Sequence, residues 1–333
     1  MHRSRSLVSK PAQDVLIVRT SSMGDLIHTL PAISDLQVHR PELRISWMAE
    51  EGFAEIPRLH AGISDVLPMA WRRWRKSLAS RATWRELGQF RRRLQTTPWS
   101  LVLDCQGLLK SAVFASLARA PVIGYDRRSA REAAACLFYS EVHPVSRELS
   151  AVERNRRLFA ETFGYQVEGA PVFGLRAGLL PAWLRTGRYA VLLHATSRAS
   201  KEWPEANWVA LGNRLHAVQG LAAVLPWGNE AEKARAVRLA RAIPEAIVAP
   251  RIGLHDAARL IGNASAVVGV DTGLTHMANA LDVPLVAVYT DTDAARTGVV
   301  ETPRAVNLGG AGQCPTPDGV WQALCGVQPP AGV

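Results

Sequence analysis

Two short segments carry residue types that could do chemistry: SSMGD at 21–25 and VDTGLTHMANAL at 270–281. Each follows an apolar run and opens a helical pattern. Asp25 at an ordinary carboxylate pKa is ionised at pH 7. It can take a proton from a hydroxyl that turns acidic as it attacks. The competing reading is a helix cap after Gly24. In the second segment, Gly273 lets the backbone approach a ligand closely and Thr272 adds a hydroxyl. The helix beginning there aims free N–H groups and its positive dipole end at the same place, so a diphosphate is the natural occupant. Here too, simple capping by Asp271 and Thr272 competes. The run His194-Ala195-Thr196-Ser197-Arg198, with Lys201 just beyond, ends an apolar strand in the same half. Small hydroxyls and two cations beside a diphosphate can neutralise charge building on a leaving group. Taken alone, Lys201 reads as a surface lysine before a helix. His28, on the same helix face as Asp25, reads as structural.

The elements that must position these residues alternate. Strands are expected at Val15–Arg19, Leu43–Met48, Leu101–Asp104 and Val122–Tyr125. One helix is expected to carry Leu26, Ile27, Leu30, Ile33 and Leu36 on a single face. Others are expected at Leu108–Leu117, Ala130–Phe138 and Ala151–Phe163. This rhythm predicts right-handed crossovers and a parallel sheet. Gly169–Gly187 is rich in Gly and Pro without a period, and the interdomain connection is placed there. The rhythm then restarts. Strands are expected at Tyr189–His194, Leu221–Leu225, Ala246–Ala249, Ala266–Val270 and Leu285–Tyr289. Helices are expected from Trp203, over Glu230–Arg241, over Leu254–Ile261 and over Leu274–Leu281. The architecture predicted is two α/β units of similar size with a cleft between them, which suits 333 residues.

A net charge of +10 implies an anionic partner: nucleic acid, a membrane face or a phosphorylated substrate. The charge is clustered. Nine basic residues (Arg72, Arg73, Arg75, Lys76, Arg81, Arg85, Arg91, Arg92 and Arg93) stand against the single acid Glu86. No nucleic-acid motif surrounds them, so nucleic acid is not the expected partner. Trp71 and Trp74 interleave with the arginines, either to sit at a membrane interface or to pack a loop. The four cysteines lack the close spacing of a zinc or redox site, which fits a reducing compartment. Residues 1–14 are basic and polar without an apolar run. They read as a disordered tail, not a secretory signal.

From Val15 to Leu324 the chain resembles the ADP-heptose-dependent glycosyltransferases of lipopolysaccharide core synthesis. The matching runs are VLIVRTSSMGDLIHTLPA (15–32), EEGFAEIP (50–57), RRWRK (72–76), DCQGLLKSA (104–112), AREAAACLFY (130–139), HATSRASKEWPEANW (194–208), LPWG (225–228) and VDTGLTHMANALDVP (270–284). The resemblance implies an α/β GT-B fold, two Rossmann-like domains facing each other across a cleft. It places the acceptor domain at 15–172, a linker at 173–188 and the nucleotide-sugar domain at 189–325. It implies inverting transfer of L-glycero-D-manno-heptose from ADP-heptose to the Kdo of Kdo-lipid A. No metal or cofactor is implied. The enzyme would lie on the anionic cytoplasmic face of an inner membrane.

By position, Asp25 falls on the family's base and Lys201 on its phosphate-contacting lysine. The donor set is Thr196, Ser197, Lys201, Glu232, Ile252, Asp271, Thr272, Gly273, Leu274 and His276. The acceptor set is Ser22, Met23, Gly24, Arg72, Arg73, Arg75, Lys76, Gln106 and Arg131. Where many relatives carry Gly-Pro-Thr-Asp-Pro, this chain has Thr290-Asp291-Thr292-Asp293-Ala294. Rival readings are transfer to another core acceptor, a nucleotide-sugar epimerase of the same fold, and a nucleotide-binding basic module without catalysis.

Overall fold

A computed structural model describes residues 13–196 and 198–327. Its first sheet contains β1 (Gln13–Val18), β2 (Leu43–Glu50), β3 (Ile63–Met69), β4 (Leu101–Asp104), β5 (Val122–Tyr125) and β6 (Glu141–His143). All pairings are parallel, in the order β3-β2-β1-β4-β5-β6. The second sheet contains β7 (Tyr189–Leu193), β8 (Ala222–Leu225), β9 (Ile247–Val248), β10 (Ala266–Val270), β11 (Leu285–Tyr289) and β12 (Ala305–Gly309). Its order is β12-β11-β10-β7-β8-β9, again parallel. Counted within its own half, each sheet is doubly wound. Each reverses strand order once, between β1 and β4 in the first and between β7 and β10 in the second. Ligands bind beyond the carboxyl ends of the strands at such reversals. SSMGD follows β1 and Cys105–Gly107 follows β4; His194–Thr196 follows β7 and Asp271–Gly273 follows β10. All four loops therefore stand where this fold binds ligands, and the architecture is the GT-B arrangement expected.

The central strands are legible because both their faces are covered. Val15–Val18, Tyr189–Leu193, Ala266–Val270 and Leu285–Tyr289 are buried throughout, as continuous apolar runs in parallel sheets must be. Three edge or near-edge strands escape the pattern. Asp65 and Pro68 interrupt β3, β6 has three mostly exposed residues, and β12 is half-buried. Helices Arg81–Thr96 and Pro317–Val327 were also not anticipated. The first strand begins at Gln13, so the expected tail loses Gln13 and Asp14; residues 1–12 lie outside the described residues.

Two expected helices change form. The stretch after Gly24 is two helices, Met23–Ile27 and Leu30–His39, with His28 and Thr29 between them. Pro31 lacks an N–H, which a helix tolerates only in its first turn, so the helix restarts there. Ala133–Phe138 is a 3-10 segment preceded by extended Glu132. The stretch between the sheets is packed. Phe173 and Leu184 join a buried cluster that runs from Ile17 and Leu26 of the first half to Leu193 and Met277 of the second.

Histidines His28, His60, His194 and His276 are buried. Burial holds each below the ordinary imidazole pKa, and takes His60 and His194 down to about 4. The unfolded chain takes up protons near pH 6.5, whereas the folded-state rings of His60 and His194 resist protonation until pH nears 4. Their stabilising contribution is complete above about pH 6.5 and is lost as pH falls toward 4. His60 and His194 should each lose about 2 kcal/mol at pH 5. The thermal midpoint at pH 5 is expected to lie below that at pH 7.5; an unchanged or higher midpoint would contradict this.

Candidate active site

Asp25 is the third residue of its helix, and the residue before that helix is Ser22. Asp25 is therefore not the N-cap itself but the third-residue partner of Ser22 in a capping box, so the capping reading holds in that form. Its Oδ2 accepts from the Ser22 N–H and hydroxyl, both at 2.9 Å. Its Oδ1 accepts from Arg19 at 2.8 Å and Arg131 at 2.7 Å. Burial alone would raise the carboxyl pKa. The two guanidinium charges and the Ser22 donors outweigh it and hold Asp25 well below the usual carboxylate range. The ordinary pKa expected from sequence is thus corrected: Asp25 is ionised and strongly solvated by the protein. Arg19 is buried and Arg131 is 47% exposed, so Arg131 is the cation free to turn toward a ligand.

Gln106, expected to meet the acceptor, uses both ends of its amide behind the loop. Its Oε1 accepts from the Thr20 N–H and hydroxyl at 2.7 and 2.6 Å, and its Nε2 donates to the Ser21 carbonyl at 3.2 Å. It is 1% exposed and shapes the SSMGD turn. Buried Asp104 orients Gln106 in turn, accepting from its N–H at 2.9 Å and from the Ser111 and Tyr139 hydroxyls.

Across the gap, Thr272 precedes helix Gly273–Ala280. Asp271 does not cap that helix. Its Oδ2 pairs with Lys201 at 2.7 Å and accepts from the Thr292 hydroxyl at 2.8 Å. Thr196 donates to the Asp271 carbonyl at 2.9 Å. Lys201 is thus not a free surface lysine but part of the site. The unusual 290–294 loop still returns to the site, since Thr290 also donates to the Ser200 carbonyl at 2.9 Å. Ser197 lies outside the described residues.

The two halves touch here. Helix Met23–Ile27 packs on helix Gly273–Ala280, and His28 Nε2 lies 3.1 Å from His276 Nδ1 in a hydrogen bond between the rings. A Cβ on Gly24 would lie 3.1 Å from the His276 ring, and one on Gly273 would lie 2.4 Å from Met23 Sδ. Because the added Cβ would also lie 2.6 Å from Met23 Cβ, Gly273→Ala is expected to shift the two helices apart, to lower the thermal midpoint by an overpacking cost of about 1–3 kcal/mol, and to weaken ADP binding about tenfold. Calorimetric titration checks it, and unaltered affinity would contradict it. A second bridge joins the halves: Glu55 accepts from the His255 N–H at 2.9 Å, at the start of helix Leu254–Gly262.

Beside these contacts lies a cleft of about 410 Å³, the size of a nucleotide site. Thr196, Glu232, Ile252, Thr272 and Leu274 of the donor set line it, with Met23 of the acceptor set. Glu232 is fixed by the Gly228 N–H and the Asn229 amide, both at 2.7 Å. Sequence reasoning missed Trp227 on this wall, which donates to the Ala249 carbonyl at 2.7 Å and carries Lys233 over its ring. The only signal was its place in LPWG.

A second, open cleft of about 500 Å³ is lined by Phe53, Arg72, Arg73 and Lys76. Arg73 is paired with Glu51 and Glu86. The Arg72 N–H donates to Glu50 Oε1 at 2.8 Å while its guanidinium lies over the Phe53 ring, and the side chains of Arg72, Arg75 and Lys76 make no ion pair among the described residues. Trp74 is buried against Phe90 and Phe114, and Trp71 lies edge-on to Phe114. The loop-packing reading holds for buried Trp74, while Trp71 is half-buried.

Residues 87–318 match the model of glycosyltransferase family 9 (heptosyltransferase). Lipopolysaccharide heptosyltransferase 1 of Pseudomonas aeruginosa is 44% identical over 286 residues, 85% of this chain and 80% of that protein. The protein of the same name from Escherichia coli K12 is 44% identical over 288 residues, 85% and 90% of the two chains. The solved structure of E. coli heptosyltransferase WaaC with ADP superposes with a TM-score of 0.87 at 40% identity, covering 93% of this chain and 98% of that one. The chain is therefore a glycosyltransferase belonging to family 9, the heptosyltransferases.

Proposed function

We propose that the chain transfers L-glycero-D-manno-heptose from ADP-heptose to a Kdo hydroxyl of Kdo-lipid A, with inversion, at the cytoplasmic face of an inner membrane. The observation that carries this reading is the direct apposition of the Asp25 helix and the Asp271–Gly273 loop beside a nucleotide-sized cleft. An E. coli relative has been solved with ADP-2-deoxy-2-fluoro heptose at a TM-score of 0.84, which supports the donor.

In the proposed step, the acceptor oxygen forms a bond to the anomeric carbon as the bond from that carbon to the β-phosphate oxygen breaks. The electron pair leaves with ADP. The sugar passes through an oxocarbenium-like state, in which the attacking hydroxyl becomes acidic enough for a weakly basic Asp25. Arg131 turns from Asp25 Oδ1 to an acceptor carboxylate, so that oxygen keeps only the Arg19 bond and has a lone pair open to the proton. Lys201 and the N–H groups opening helix Gly273–Ala280 meet the charge on departing ADP without a metal. Arg72, Arg75 and Lys76 meet acceptor phosphates and carboxylates. Heptose incorporation into Kdo-lipid A with a chelator present tests the reading; strict dependence on an added metal would remove the role given to Lys201 and the helix.

A further inference from the structure

Helix Arg81–Thr96 buries Thr83, Phe90 and Leu94. At 100° per residue, Arg81, Arg85 and Arg92 form a stripe on the opposite side, with Trp84 and Arg91 together on one side of it, about 80–100° round the helix. Trp84 is 61% exposed, and Leu78, in the turn leading into the helix, is 44% exposed. The indole N–H donates to the Leu78 carbonyl at 2.7 Å, which fixes the ring beside that turn. Arg73 and Arg93 are each ion-paired. Among the described residues, Arg75, Lys76, Arg81, Arg85, Arg91 and Arg92 have no carboxylate partner. An exposed indole on the helix and an exposed leucine in the turn before it thus stand beside unpaired cations. A nucleic acid would gain nothing from the leucine and would favour a groove. An anionic bilayer matches both the charge and the amphipathic side chains.

We propose that this face is a docking surface for anionic phospholipid. The helix lies along the membrane, its arginines on headgroup phosphates, with Trp84 and Leu78 seated at headgroup depth. The open cleft at Arg72, Arg73 and Lys76 lies just before this helix in the chain. Docking would bring it to the bilayer, so an acceptor with a lipid anchor would be taken from the membrane plane. The proposal deepens the reading of a lipid-linked acceptor.

The test is co-sedimentation of the full chain with phosphatidylcholine vesicles, with and without about one-third phosphatidylglycerol. Binding is expected only to the anionic vesicles and is expected to weaken as salt rises. Arg81→Glu, Arg85→Glu and Arg92→Glu together should weaken it by about a hundredfold or more, at about fivefold per cation. Leu78→Ser with Trp84→Ser should weaken it about tenfold or more. Both variants should keep wild-type turnover with ADP-heptose and a deacylated, water-soluble Kdo acceptor. Failure of wild type on that acceptor would instead count against the proposed function. Equal binding to neutral vesicles, unchanged binding of both variants, or tighter binding of a random single-stranded oligonucleotide would overturn the docking surface.

Discussion

Replacing Asp25 by Asn is expected to lower turnover by about two to four orders of magnitude, the loss typical when a positioned acid–base group is removed. Asn keeps the side-chain volume and one oxygen, so Arg19 retains a partner. Asp25→Ala should slow the reaction as much and also destabilise the fold. It leaves the buried Arg19 guanidinium without its carboxylate, a change that costs about 3–5 kcal/mol at buried pairs. The two variants therefore separate chemistry from folding. Steady-state kinetics on Asp25→Asn, with a melting curve beside it, reads the first. Near wild-type turnover would reduce Asp25 to an anchor for Arg19, Arg131 and Ser22, the bland reading its dense hydrogen bonding makes concrete.

Lys201→Ala is expected to lower kcat by about two to three orders of magnitude and to raise KM for the donor. Lys201 neutralises Asp271, whose side chain is 12% exposed. Without it, a bound diphosphate would face a carboxylate left with the Thr292 hydroxyl and, at 4.0 Å, the His276 ring. Lys201→Arg should recover only part of the loss, because a planar fork does not reproduce a compact ammonium. A surface lysine would give rates within about twofold of wild type. That result, measured as kcat and KM separately, would remove Lys201 from the leaving-group role.

The cores of both sheets and their ligand loops were legible from residues because parallel central strands leave long apolar runs. Gly24 and Gly273 punctuate the turns beyond them. Less legible was anything fixed by partners distant in sequence. Arg19 is an unremarked strand-end residue until the fold sets it 2.8 Å from Asp25. Gln106 looks like a ligand contact until Thr20 and Ser21 are seen to use its amide. The arginines around Trp71 and Trp74 left interface and loop packing equally open, and only the fold shows Phe90 and Phe114 closing over Trp74. The exposed indole is Trp84, inside a helix whose packed face is Thr83, Leu87, Phe90 and Leu94. That four-three-four spacing is a helical period, overshadowed in the sequence by the arginines between its members. The last strand was hidden by polar Asn307 in a five-residue run.

One measurement bears on the whole account: a mass-resolved product assay with ADP-heptose, Kdo-lipid A and a chelator, for wild type and Asp25→Asn. Wild type should yield ADP and an acceptor heavier by one heptose residue in equal amounts, and the variant should yield almost none. Donor consumed without acceptor, heptose added only to an already heptosylated core, or a variant as fast as wild type would contradict it.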